Sequence, residues 1–447
     1  MNLEYIFNPQ SIAIIGASGE PKTVGAGLVK NLLQSKKKIY CVNPFKSKIF
    51  GMQSFKNIRD INDKIDLAII AVPAKIVLDI VLDCVNKKVK GIIIVSSGFG
   101  ETGEKGKELE NKIKEIANKA KIPLIGPNCL GIINLNQGLN ASFAPFTPKK
   151  GNVALLSQSG ALIDALIDIS GEDNLGFSKI VSYGNESQID LTQFLQYLKK
   201  DKDTKVILLY LEGVKNGKQF FEVAKEVSKE KPIVVLKSGK SKLGEKAIAT
   251  HTGSLAGEYD VYKAIFKQTG IIEVDSIEEL LDTGKALSFL DRFKGRIGII
   301  TNGGGLGVLI VDYCEKYGVE IQELNKETIE KLDKEMEKVS IKKNPLDILG
   351  DAEPERYEIG IRNLLEQKDI NALIVVQTMQ IMTEAEKNAK IIVGLKNKFK
   401  TKPIVCCLAG KKLIKKAINY LEENNIPNYS DPKRAVRAIK NLSLWIY

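Results

Sequence analysis

GNVALLSQSGAL at residues 151–162 returns as GRIGIITNGGGL at 295–306, an echo 144 residues apart. Each copy opens on glycine, runs through an apolar strand, and reaches a hydroxyl residue, a side-chain amide and a small residue before glycine at the tenth position. An aliphatic run closed by Ser or Thr and followed by glycine predicts a strand, a tight turn and the first turn of a helix. A repeat of domain size predicts tandem domains of one design. The start of each helix leaves backbone N–H groups unpaired and a positive dipole end, which suits an anion. Gly160, Gly304 and Gly305 let an oxyanion approach the backbone, while Ser157, Ser159 and Thr301 add hydroxyl donors. Either turn alone reads equally as an ordinary strand-to-helix connection. Two at matching positions favour one phosphoryl group held between two helix N-termini.

The same strand-to-helix alternation extends in both directions. SIAIIG (11–16), KIYCVN (38–43), DLAIIAV (66–72), GIIIVSS (91–97) and IPLIGPN (122–128) alternate with helical patterns and predict parallel βαβ units. FAPFTPKKG (143–151) breaks the alternation as a linker. Strands near 152–157, 177–182, 205–211 and 232–236 form a second series; 295–305, 371–377 and 402–408 form a third, closed by a helix over 431–447. The chain therefore reads as α/β with three consecutive doubly wound domains at 1–145, 146–293 and 294–447.

Composition narrows the classes of function. Hydrophobic content of 44% with 27% charge predicts an ordinary soluble protein, and no apolar run approaches the ~20 residues that span a bilayer. MNLEYIFNPQ lacks the basic start and apolar core of a signal peptide, so a cytoplasmic protein is expected. Six cysteines show no CxxC spacing and only one histidine is present, so no Cys/His metal set is expected. The net charge of +12 suits a polyanionic ligand but is spread as Lys interleaved with Glu, without the Arg and aromatic stripe of a nucleic-acid binder.

Three further features carry chemistry. SIAIIGASGEPKTVGAGLV (11–29) is strand, glycine loop and helix but not GxGxxG, and the second strand ends in Asn43, Pro44, Phe45 and Lys46 instead of the acid that holds an NAD ribose. With Lys22 in the first loop, Lys46 favours a phosphate-rich adenine nucleotide such as coenzyme A over NAD. His251, the sole histidine, sits in SGKSKLGEKAIATHTGSLAG (238–257), a small-residue stretch that reads as a displayed loop. Imidazole is both nucleophile and leaving group near neutral pH, which suits it to carry a phosphoryl group. Glu212, ending the strand VILLYLEG (206–213), lies where it could orient the imidazole, although an acid there also serves as a cap.

Taken in order, GASGEPKTVG, AVPA, SSGFGE, GPNCLG, LLSQSGAL, YLEGV, ATHTGSLAG, TNGGGLGV and NPLDILGDA resemble the α subunits of ADP-forming acetyl-CoA synthetases, relatives of succinyl-CoA ligase, over essentially the whole chain. The resemblance implies a Rossmann-like CoA-binding domain followed by two flavodoxin-like ligase domains. It implies that acyl-CoA and phosphate give an acyl phosphate, whose phosphoryl group moves to His251, held by Glu212. It implies phosphate contacts at the Ser159–Gly160 and Gly304–Gly305 turns, and a CoA site at Gly16, Ser18, Lys22, Lys46, Val72, Pro73, Ser97, Gly98 and Asn128, with Cys129 beside it as packing. ADP or ATP with Mg²⁺ would bind a separate ATP-grasp β subunit, in an α2β2 assembly. A fused protein acetyltransferase does not fit within 447 residues. A CoA-sensing scaffold, or a succinyl-CoA-ligase-type enzyme for another acid, is the alternative reading.

Overall fold

A computed structural model describes residues 2–252, 258–336, 339, 342–410 and 412–445, with the backbone alone at 249–252. The apolar runs form three sheets. The first has seven strands in the order 48–49, 52–55, 38–42, 11–15, 67–70, 91–94 and 124–125, all parallel except the edge pair 48–49 and 52–55. Strand Ser11–Ile15 lies between Lys38–Val42 and Leu67–Ile70, so the winding of the sheet reverses there. Such a reversal opens a crevice beyond the carboxyl ends of the strands.

The second sheet runs 272–274, 233–237, 206–211, 150–157, 177–182, 131–134 and 139–142, and reverses at Lys150–Ser157. The third runs 346–347, 296–301, 370–377 and 404–408, and reverses at Arg296–Thr301. All three glycine turns seen in the sequence thus follow the strand at which their sheet changes direction. Strands such as Leu67–Ile70, Gly91–Ile94 and Ile404–Leu408 are buried on both faces, as helix-covered parallel sheets require.

Two placements differ from the sequence reading. The hairpin Gly131–Asn134 and Leu139–Ser142, within the segment 1–145 read as the first domain, pairs antiparallel with Phe177–Ser182 in the second sheet. Ile133 opposite Ile180 buries an apolar edge that the parallel strands leave open, and Asn134 Nδ2 ties it to the carbonyl of Phe7 at 2.8 Å. The first two sheets consequently form one compact unit, 1–275, and the remainder, 276–447, forms a second.

Helix Ile277–Phe289, expected within the domain ending at 293, belongs to that second unit. Lys285 Nζ reaches Glu422 Oε1 at 3.0 Å and the Asn428 carbonyl at 2.9 Å, above the ring of Tyr429. Asp282 receives a forked pair of bonds from Arg434 on the closing helix Pro432–Leu444, at 2.8 and 2.6 Å. All six cysteines are buried thiols, and among the described residues no helix is long and apolar enough to cross a membrane.

Removing one member of a buried ion pair leaves the other charge desolvated. Lys285→Met is expected to destabilise the second unit by about 3–5 kcal/mol, and Glu422→Leu added to it is expected to recover most of that loss. Denaturant unfolding of the two variants measures both.

Candidate functional site

The two echoed turns are closed by the same hydrogen bonds. Ser157 Oγ donates to the Ser159 carbonyl at 2.8 Å and accepts the Ser159 N–H at 3.0 Å. Thr301 Oγ1 does the same with Gly303, at 3.0 Å for both bonds. Both hydroxyls are buried and their donor is spent on the turn. In this structure the hydroxyls of Ser157 and Thr301 are engaged within their own turns. Ser159 caps helix Gly160–Glu172, its Oγ accepting the Leu162 N–H at 3.3 Å. Helix Gly304–Tyr317 opens with exposed Gly304 and Gly305, and a Cβ on Gly304 would stand 2.9 Å from Asp347 Oδ2.

The amide one residue earlier ties each turn to a neighbouring strand. Gln158 Oε1 accepts the N–H groups of Glu212 at 2.6 Å and Gly213 at 3.2 Å, and Nε2 donates to the Gly213 carbonyl at 3.1 Å. Asn302 Oδ1 accepts the Thr378 N–H at 2.7 Å and Nδ2 donates to the Thr378 carbonyl at 3.0 Å. Glu212 and Thr378 each stand one residue past a strand that pairs in parallel with the turn-bearing strand. The sequence echo is thus an echo in hydrogen bonding.

Glu212 is buried at this junction. Its carbonyl accepts Lys237 Nζ at 2.8 Å, and that ammonium also donates to the Ser238 carbonyl and lies 4.7 Å above the Tyr262 ring. Burial pushes Lys237 down to about 8, with the Glu212 charge pulling the other way. Behind Gln158 lies Glu186, whose Oε2 is 3.4 Å from Gln158 Nε2 and whose Oε1 accepts the Leu191 N–H at 2.9 Å. Burial lifts this carboxyl to about 7 against the opposing pull of Lys215. Reading the sequence passed over Lys237 and Glu186. A lysine ending the otherwise apolar strand IVVLK was the available signal for the first.

The stretch expected as a loop at 238–257 is helical over Lys242–Thr252. His251 is on the last turn of that helix, with its side chain outside the described residues, as are residues 253–257. The helix approaches the turn Gly100–Thr102 of the SSGFGE motif.

Val72, Pro73, Ser97 and Asn128 line one cleft of about 560 Å³ together with Gly160, Ala161 and Asp164 from the start of the second sheet's helix. Gly16 sits against its wall: at φ +90° a Cβ there would lie 2.2 Å from the Ala71 carbonyl oxygen, so glycine alone lets the first turn close on Val72. Ser18 Oγ accepts the Glu20 N–H at 3.0 Å. Lys22 and Lys46 are exposed outside the lining, Lys46 at 3.8 Å from Glu20. The N–H of Gly98 is taken by Glu101 Oε1 at 2.5 Å, so Gly98 shapes the SSGFGE loop. Burial would raise the Glu101 carboxyl, yet hydrogen bonds from Asn185 and from the Gly98 and Phe99 N–H groups hold it below its ordinary value. Asn128, at φ +57°, joins the loop to Asn185 through Nδ2 at 3.3 Å. Among the described residues no cluster of His, Cys, Asp and Glu could hold a metal ion.

Comparison with known proteins assigns the three segments. A CoA-binding domain family matches residues 10–134, a succinyl-CoA-ligase-like flavodoxin domain family 150–287, and a ligase-CoA domain family 297–441. The chain is 40% identical to subunit alpha of the ADP-forming acetate–CoA ligase II of Pyrococcus furiosus, across 98% of this chain and 96% of that one. The chain belongs to the ADP-forming acetate–CoA ligase family. It is 46% identical to the ADP-forming acetate–CoA ligase of Methanocaldococcus jannaschii, over 98% of this chain but only 63% of that longer relative. Among solved structures it superposes on dinucleotide-forming acetyl-coenzyme A synthetase 1 of Ca. Korarchaeum cryptofilum, solved with phosphate and ADP. There the TM-score is 0.93 at 36% identity, covering 99% of this chain and 97% of that one.

In this ligase-family chain the Gln158 junction carries a measurable signature. Glu186 is lifted from 4.5 to about 7, so the folded state holds its proton more tightly than the unfolded state does. The stability this gives is complete below pH 4.5 and is lost as pH rises through about 7. Glu186→Gln does not titrate. Its stability relative to wild type is expected to rise between pH 5 and pH 8 by up to on the order of 3 kcal/mol, read from denaturation midpoints at the two pH values.

Proposed function

We propose that this chain is the acyl-CoA- and phosphate-handling part of an ADP-forming acyl-CoA synthetase, acting on acetyl-CoA or a close relative. One observation carries the reading: a single cleft unites Val72, Pro73, Ser97 and Asn128, which follow the carboxyl ends of three strands of the first sheet, with Gly160 at the start of the second sheet's helix. A CoA thioester lying in that cleft has its reactive end beside free helix N–H groups. Lys22 and Lys46 stand outside it as exposed cations for the nucleotide phosphates. Phe45, 89% exposed beside Lys46, offers an apolar face on which an adenine stacks.

In this reading phosphate attacks the thioester carbon, the carbon–sulfur bond breaks, and the thiolate leaves with a proton as CoA. The Ser159–Gly160 turn stabilises the oxyanion through preorganised N–H groups. The acyl phosphate then gives its phosphoryl group to His251, releasing the free acid. Gln158 fixes Glu212 against the same turn, and Lys237 fixes Glu212 from its other side. The second glycine turn, at Gly304–Gly305, repeats this arrangement in the second unit and is an anion site of the same design. ADP, with Mg²⁺, accepts the phosphoryl group on an ATP-grasp partner, in an α2β2 assembly in the cytoplasm. The name of the Pyrococcus furiosus relative, subunit alpha, supports a partner chain.

The test is to incubate the purified chain with acetyl-CoA and radiolabelled phosphate. Acid-labile, base-stable label is expected on wild type and absent from His251→Ala. Glu212→Gln is expected to lower the labelling rate at least tenfold. An unlabelled wild type, with acetyl-CoA or a panel of other acyl-CoAs and with an ATP-grasp partner and ATP added, would overturn the reading.

A further inference from the structure

The cleft contains one carboxyl group that neither the fold nor the phosphoryl chemistry uses. Among its lining residues Val24, Ala71, Val72, Val95, Leu130 and Phe143 are apolar, and Asp164 is the only acid. Asp164 lies four residues after Gly160 on helix Gly160–Glu172, hence on the same helix face and one turn further in. Its Oδ1 is buried and has no hydrogen-bond partner among the described residues. Native proteins rarely leave a buried polar atom unsatisfied, and an exception calls for a cause. Among the described residues no salt bridge offsets it, and burial raises the carboxyl above its ordinary value. Cys129, the other titratable lining group, donates its thiol to the Ile94 carbonyl at 3.3 Å and is thereby used in packing.

Resting on the function proposed above, we infer that Asp164 selects the acyl group, admitting thioesters with an uncharged acyl chain and rejecting those that carry a second carboxylate. The reacting carbon must lie at the Ser159–Gly160 turn, where the oxyanion develops. Substituents of the acyl chain then extend along the same helix face toward Asp164. A second carboxylate three carbons on would meet Asp164 beside Val24, Leu130 and Phe143, where two carboxyl groups close together disfavour each other's charge. An acetyl group ends short of it, leaving Oδ1 to a water or to the pantetheine amide. Rejection by an unsatisfied like charge is specificity obtained through repulsion.

The experiment measures phosphate-dependent release of CoA thiol from acetyl-CoA and from succinyl-CoA, using the full chain assembled with its partner. Wild type, Asp164→Asn, which keeps the side-chain shape, and Asp164→Ser, which keeps polarity in less volume, are compared. The ratio of kcat/KM for acetyl-CoA over succinyl-CoA is expected to exceed tenfold in wild type. It is expected to fall at least tenfold in either variant, a change in ratio that a purely structural loss would not produce. A wild type that uses both thioesters equally, or a folded variant whose ratio stays within twofold, overturns the assignment. Either result leaves acetyl-CoA turnover by wild type in place, so it is distinguishable from failure of the proposed function, in which wild type releases thiol from neither.

Discussion

A side-chain amide reaching from one strand end to the next braces each of the two echoed glycine turns. Where a parallel sheet reverses its winding, the backbone beyond adjacent strands loses its ladder partners, and those N–H and C=O groups still have to be satisfied. Gln158 does this for Glu212 and Gly213, and Asn302 for Thr378. Without such a clamp the strand ends would recover their hydrogen bonds by collapsing across the crevice, which is the space a ligand needs. The clamp also sets the spacing between Glu212 and the start of helix Gly160–Glu172. The hydroxyls of Ser157 and Thr301 complete the arrangement by closing each turn on itself.

This explains why so much of the architecture was legible in the sequence. The strand, the hydroxyl, the amide and the glycine are consecutive, so their geometry is local and repeats wherever the residues repeat. What escaped depends on partners distant in the chain. The hairpin at 131–142 is short and apolar, and nothing in it distinguishes an edge of the first sheet from an edge of the second; Ile133 finds Ile180 only in three dimensions. Helix Ile277–Phe289 is placed by Lys285 with Glu422 and by Asp282 with Arg434, contacts separated by 137 and 152 residues. The helix at Lys242–Thr252 was hidden by its small side chains. The run KLGEKAIAT is rich in Ala, Lys and Glu, whose helix propensity prevails over an impression of looseness.

The roles of individual polar groups were harder still, because burial decides them. In a chain with 66 basic and 54 acidic residues, one more Lys or Glu carries no signal. Lys237 and Glu186 stand out only once both are seen to be buried around Gln158. Ser157 reads as a hydroxyl for phosphate, and in the structure it donates to the Ser159 carbonyl at 2.8 Å. Conversely, Val72, Pro73, Ser97 and Asn128 came to notice through resemblance to a family, and their common cleft supplies the physical reason for grouping them.

The distribution of charge around the first turn has a consequence for a relay. Cations are plentiful on the surface, yet Lys237, the cation described beside Glu212, gives its protons to backbone carbonyls. Glu186 and Glu212 are buried acids near it, and Asp164 is half-buried. In the proposed relay, an anion at the Ser159–Gly160 turn would meet N–H dipoles, which amount to about half a charge at a helix end. Tight ion pairing would stabilise a bound phosphate and its transition state alike, and uniform binding of that kind does not speed the chemical step. In that proposal, a site built from oriented N–H groups with carboxylates nearby would orient the phosphoryl group without the grip of an ion pair. For a group that must be passed from one acceptor to the next, that balance is the useful one.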